Sequence, residues 1–139
     1  MTRADDPSDL ARLHGQVLLG VSRLAWHEAG ETPDPTVGPL HLELAQDRGL
    51  LVDTRGDWTV GWSWTGAGGA WVAPYRYDID GSRWVLRDAS AEPAFRAFVG
   101  SRVVGVGLLR DAAGQLVGLD VTFRSGRLRA AMRAGDLVV

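Results

Sequence analysis

The chain has 139 residues, no cysteine and a formal net charge of −2. That length fits one domain, residues 1–139, able to bury roughly two-thirds of its unfolded surface around a single core. The missing cysteines exclude disulfides, thiolate metal sites, iron–sulfur clusters and cysteine nucleophiles. All fifteen basic residues are arginine, which excludes Schiff-base and lysine general-base chemistry as well.

Residues 1–7 carry acids where an export signal would carry a basic start and an apolar stretch. No apolar run approaches the ~20 residues of a membrane helix. A cytoplasmic location without a membrane partner is therefore expected. A short helix should start near Asp6, with Pro7 in its first position, and stop at Gly15. A strand follows through Gly20 and Val21. The segment from Trp26 to Gly38, with Glu28-Ala29-Gly30-Glu31-Thr32-Pro33-Asp34-Pro35, reads as a surface loop.

Leu40, Leu42 and Leu44 alternate with His41 and Glu43, the period of a half-buried strand. A turn at Gln46-Asp47-Arg48-Gly49 leads into a strand from Leu50 to Asp53, and Gly56-Asp57-Trp58-Thr59-Val60 follows. Trp58, Val60, Trp62 and Trp64 then alternate on one strand face. Thr65-Gly66-Ala67-Gly68-Gly69 turns the chain, and Trp71, Ala73, Tyr75 and Tyr77 read as the returning strand. Pro74 places that strand at an edge or a bulge. Asp80-Gly81 is a hairpin signal leading into a strand from Arg83 to Arg87.

The remaining segments repeat the first ones. Phe98-Val99-Gly100-Ser101-Arg102-Val103-Val104-Gly105-Val106 matches Leu13-His14-Gly15-Gln16-Val17-Leu18-Leu19-Gly20-Val21 in both glycines, the following valine and the apolar residue before the first glycine. A helix capped by Ser90 and ended by Gly100 should precede it, with Phe95 and Phe98 on one face as anchors. Asp111-Ala112-Ala113-Gly114 is a tight hairpin. Leu119, Val121 and Phe123 alternate like Leu40 to Leu44. Arg124-Ser125-Gly126 turns into a strand from Arg127 to Met132, and Gly135-Asp136-Leu137-Val138-Val139 mirrors Gly56 to Val60. The expected fold is α+β and mainly antiparallel β. Two pseudo-repeated helix and β-meander halves (about 6–60 and 91–139) flank an inserted aromatic hairpin region (61–90).

Charge is uneven: residues 1–90 hold eight arginines and thirteen acids, residues 91–139 seven arginines and four acids. Either two surface patches of opposite sign or pairing between the halves accounts for this, and the repeat favours pairing.

Motifs for chemistry fail one by one. His14, His27 and His41 lack metal-ligand spacing. Tyr77-Asp78-Ile79-Asp80-Gly81 resembles the start of a calcium loop, but the twelfth position falls on Ala89 or Arg87 instead of an acid. Thr65 to Ala70 is rich in glycine yet lies between aromatic strands, without the helix that binds phosphate. Ser22, Ser63, Ser82, Ser90, Ser101 and Ser125 lack the G-x-S-x-G setting, although a triad assembled in space leaves no local trace. Arg55-Gly56-Asp57 is a turn. Arg124, Arg127, Arg129 and Arg133 are a weak nucleic-acid footprint on a net-negative chain. No cofactor or metal is expected, and no enzymatic activity.

The aromatic set exceeds background. Trp58, Trp62, Trp64 and Trp71 lie close together, with Tyr75, Tyr77 and Trp84 behind them. They form either a core layer, as aromatics in strands do, or a binding patch. Buried indoles need a polar partner, so some of the tryptophans should reach the surface. The candidate site joins Trp58, Trp62, Trp64, Trp71, Tyr75 and Tyr77 to the acidic turn at Asp78 and Asp80.

The repeated pattern is carried by Leu13, Gly15, Gly20, Val21, Leu42, Leu44, Gly49 and Leu50, and again by Phe98, Gly100, Gly105, Val106, Val121, Phe123, Gly126 and Leu128. It resembles small uncharacterised bacterial β domains, known mostly from actinobacteria and related groups. Some comparable domains are encoded beside polymorphic toxins and look like their immunity proteins. The resemblance implies a non-catalytic module that binds another protein, a toxin among the candidates, and carries over no individual functional residue. The alternative expectation is a small-ligand carrier whose cavity is lined by Trp62, Trp64 and Tyr75. A homo-oligomer is compatible with either.

Overall fold

A computed structural model describes residues 7–32 and 37–139. The expected helix start near Asp6 and the Pro33, Asp34 and Pro35 part of the loop lie outside the described residues. The fold is mostly antiparallel β. Its strands are β1 (Leu18–His27), β2 (Leu40–Leu44), β3 (Arg48–Thr54), β4 (Val60–Thr65), β5 (Asp78–Ile79), β6 (Ser82–Asp88), β7 (Val103–Arg110), β8 (Leu116–Phe123), β9 (Gly126–Arg133) and β10 (Asp136–Val138). They form a six-stranded sheet of order β4-β3-β2-β1-β6-β5 and a four-stranded sheet of order β10-β9-β8-β7.

Period-two patterning decides which faces are buried. Leu40, Leu42 and Leu44 on β2, Leu50 and Val52 on β3, and Val60 and Trp62 on β4 point to one side. They share a core with Leu119, Val121, Phe123, Leu128 and Ala130 of the second sheet. A 3-10 helix at Pro7–Leu13 adds Leu10 and Leu13 to that core. Antiparallel pairing fixes the register, since a slip of one residue would turn every leucine to solvent.

The two sheets are joined where β1 and β7 begin. Val17 and Arg102 form an antiparallel bridge. Around it, Gly15 N–H donates to Val103 O and Gly100 N–H to Leu18 O, while Leu18 N–H donates to Ser101 O and Val103 N–H to Gln16 O. A bulge follows in each strand, between Leu18 and Gly20 and between Val103 and Gly105. A second seam holds β10: Val37 bridges Val138, and the buried Arg23 guanidinium donates to the carbonyls of Gly38 and Leu137 at 2.9 and 3.1 Å.

Three expectations need correction. The segment after Ser90 is a run of turns and not a regular helix. Its backbone bonds are mainly those of successive turns, Phe95 N–H to Glu92 O and Phe98 N–H to Phe95 O, and so short a stretch gains little from helical propagation. Its aromatic anchors still work: Phe95 is fully buried, and Phe98 stacks on Phe123 with ring centroids 5.0 Å apart. Ser90 does not cap a helix either. Its hydroxyl accepts the Val21 N–H at 2.9 Å, satisfying backbone beside the β1 bulge.

Trp71, Ala73, Tyr75 and Tyr77 do not lie on a strand: Ala70–Tyr75 is a 3-10 helix with Pro74 inside it, and Tyr77 precedes β5. Finally, the turn after β2 does not use Gly49. Gln46 and Asp47 take the positive φ angles, and Gly49 already belongs to β3. There a side chain would run into the His41 imidazole and the Thr65 hydroxyl, so glycine is required for space.

Candidate functional site

The outer face of the six-stranded sheet, away from the shared core, carries the aromatic residues that remain accessible. Alternation places Ser22, Leu24 and Trp26 of β1, His41 and Glu43 of β2, Leu51 and Asp53 of β3, and Trp84 and Leu86 of β6 on this side. The 3-10 helix Ala70–Tyr75 crosses over them. Trp71 stacks flat on His41 with centroids 4.3 Å apart and planes 9° from parallel. The Tyr75 hydroxyl donates to Asp53 Oδ2 at 2.8 Å. Glycines at 66, 68 and 69 let the chain leave β4 and turn back across the sheet.

Burial tunes the groups beneath this helix. His41 is held near neutral form, its pKa pushed down to about 4 by burial. Its Nε2 shares a hydrogen bond with Thr65 Oγ1 at 2.8 Å. Burial raises the Asp53 pKa, against the Tyr75 and Thr54 hydrogen bonds that favour the carboxylate. Tyr75 is pushed upward by burial and by the neighbouring Asp53 charge, so it serves as a donor and stays protonated.

Beyond the helix, register brings together residues far apart in sequence. Trp26 lies opposite Trp84 in the β1–β6 pair, and Leu24 opposite Leu86. Trp84 meets Trp26 edge-on at 5.4 Å and Tyr75 edge-on at 5.8 Å, while Tyr77 lies 5.9 Å from Trp26. Polar tips are satisfied: the Trp84 indole donates to Tyr77 Oη at 2.9 Å, and the Trp26 indole to Glu28 Oε1 at 2.9 Å. Leu24, Val72, Tyr75, Arg76, Tyr77, Asp78, Arg83, Trp84 and Leu86 line a groove of about 430 Å³. Tyr77, Ile79 and Leu86 are large apolar groups left about half exposed here.

The eight expected site residues therefore separate. Tyr75, Tyr77 and Asp78 line the groove. Trp71 belongs to the neighbouring cleft of about 340 Å³ with His41, Glu43 and Arg48. Trp62 and Trp64 point the other way: Trp62 is part of the core, and Trp64 packs against it with the Arg12 guanidinium 5.0 Å above its ring. Neither indole N–H meets an acceptor among the described residues, so burial here is tolerated without the hydrogen bond. Trp58 is exposed, but it sits in a turn with φ +65° and not on the β4 face. Asp80 takes the first positive-φ position of the β5–β6 turn, and Asp78 Oδ1 accepts the Gly81 N–H at 2.7 Å. That acidic pair builds the hairpin.

Trp62 and Tyr75 both border a small cleft of about 140 Å³ beside Asp53, but Trp64 does not line it. Sequence reasoning missed Trp26, Leu24 and Leu86 and gave Trp84 a minor place, since only the β1–β6 pairing brings them together. Among the described residues no three His, Asp or Glu side chains converge to hold a metal ion, and no helix is long and apolar enough to cross a membrane. Comparison with protein-family models, curated proteins and solved structures gives no match.

Proposed function

We propose that this chain is a non-enzymatic protein-interaction module that engages its partner through the groove between Ala70–Tyr75 and β6. An immunity-type inhibitor is one form of such a module. The observation that carries the reading is the open aromatic groove itself: Tyr77 and Leu86 stand about half exposed over a floor of Leu24, Val72 and Trp84. Clustered aromatic anchors in a groove are the usual carriers of binding energy at protein interfaces. A groove open to solvent suits a protruding segment of another protein better than an enclosed small ligand.

The same proposal includes a duplicated origin for the two halves. The reciprocal hydrogen bonds around the Val17–Arg102 bridge and the paired bulges in β1 and β7 support it. On this reading the groove is built mainly by the inserted region, the part without a counterpart in the other half, with Leu24 of the first half in its floor.

The test is a sizing experiment in the cells that make the protein. Wild type at its natural level should elute in a complex well above its 15.0 kDa mass. The double variant Tyr77→Ser and Leu86→Ser should elute as free protein with unchanged thermal stability. A double variant that stays in the complex would refute this assignment.

A further inference from the structure

The groove borders an unfinished sheet edge. β5 pairs only through Asp78 and Ile79, with Arg83 and Ser82 of β6. The remaining residues of β6, Trp84 to Asp88, pair with β1 on one side and with no strand on the other. No other backbone hydrogen bond reaches Trp84, Val85, Leu86 or Asp88 among the described residues. Arg83, Arg87 and Asp88 put charges toward the ends of this edge, while Trp84, Val85 and Leu86 leave its centre uncharged and open to pairing. Arg76 and Arg83, both exposed, stand at the groove and make no ion pair among the described residues. The one acid lining the groove, Asp78, has an oxygen committed to the Gly81 N–H.

We propose that the partner docks as an extended segment added beside Trp84–Asp88, with apolar side chains in the groove and a carboxylate next to Arg76 and Arg83. This rests on the reading of the groove as the partner-binding site and adds the chemistry of the occupant. Backbone hydrogen bonds would hold the segment. Alternate side chains would point onto Leu24, Val72, Tyr77 and Trp84, since one face of an added strand continues the outer face of the sheet. The surplus positive charge selects an acidic flank.

The probe is a short capped peptide with glutamate at each end and leucine alternating with serine between them. It is titrated into the intact protein and followed by amide NMR. Shifts should centre on Trp84 to Asp88 and Tyr77, and amide exchange at Trp84–Asp88 should slow. Methylating the peptide's alternate backbone nitrogens should weaken binding about tenfold or more, since strand pairing loses its donors. Replacing glutamate by lysine should weaken it as well, and the double variant Arg76→Glu and Arg83→Glu should reverse that preference. Equal affinity for the methylated and unmethylated peptides, or shifts centred on another face, would overturn the proposal. If the Tyr77→Ser and Leu86→Ser variant loses its cellular complex while these peptides show no such discrimination, the groove is the docking site and strand addition is wrong.

Discussion

Arg23 is the residue whose role the sequence hides most completely. It sits in β1 between Ser22 and Leu24, fully buried, with its guanidinium 5.9 Å from the Phe95 ring and donating to two carbonyls from separate segments. Replacing it by leucine would leave the Gly38 carbonyl without that donor, at about 1–3 kcal/mol, while the Leu137 carbonyl keeps the Gly38 N–H. Arg23→Leu should lower urea-unfolding stability by about 1–3 kcal/mol, since one nitrogen, Nη2, supplies both hydrogen bonds and only the Gly38 carbonyl loses its donor. His41 gives a pH signature. Its folded pKa of about 4 lies below the ordinary value of 6.5, so the unfolded chain takes up the proton first as pH falls. Stability should be intact above pH 6.5 and decline between 6.5 and about 4, by on the order of 2–3 kcal/mol from this group. His41→Phe keeps a ring against Trp71 and should remove that part of the slope in urea titrations at pH 7, 5 and 4. An unchanged slope would contradict the assignment to His41.

Strands are the most legible elements here and the helical segments the least. β2 and β8 fall where alternating apolar residues place them, because a half-buried strand must alternate, and β3 and β9 follow the turns after them. The Asp80-Gly81 turn is also readable, since both residues take positive φ. Gly81→Ala should cost about 1 kcal/mol or more at φ +88° in thermal or urea unfolding, whereas Trp58→Ala should stay within about 0.5 kcal/mol of wild type. Misreading arose where spacing gave a false strand. Trp71, Ala73 and Tyr75 sit two apart, yet they belong to a 3-10 helix in which Trp71 stacks on His41, Tyr75 bonds Asp53 and Ala73 is exposed. Pro74 and the glycines before Ala70 were the available signal against a strand. The Ser90 hydroxyl shows the same limit, for a cap residue can serve a distant bulge as readily as a helix. Ser90→Ala leaves the Val21 N–H without that acceptor and should cost about 1–3 kcal/mol, concentrated in faster amide exchange at the β1 bulge.

At the scale of the molecule, the site comes from pairings no local pattern records. Trp26 and Trp84 meet because β6 returns beside β1, and Tyr75 and Tyr77 join them because the Ala70–Tyr75 crossing ends there. The aromatic density of residues 58–84 was visible in the sequence. Its division into a core pair, Trp62 and Trp64, and an outer group was not, since strand polarity within a two-sheet core depends on which sheet covers which face. The outer face of the six-stranded sheet thus carries the groove and its free edge, while the outer face of the four-stranded sheet carries Arg127 and Arg129, paired with Asp120. A photo-crosslinking residue placed at Leu86, compared with one at Arg129, separates these faces in the living cell. A discrete adduct from position 86, absent from position 129 and lost when Tyr77→Ser is added, is the predicted result. An adduct from position 129 with none from position 86 would contradict the account.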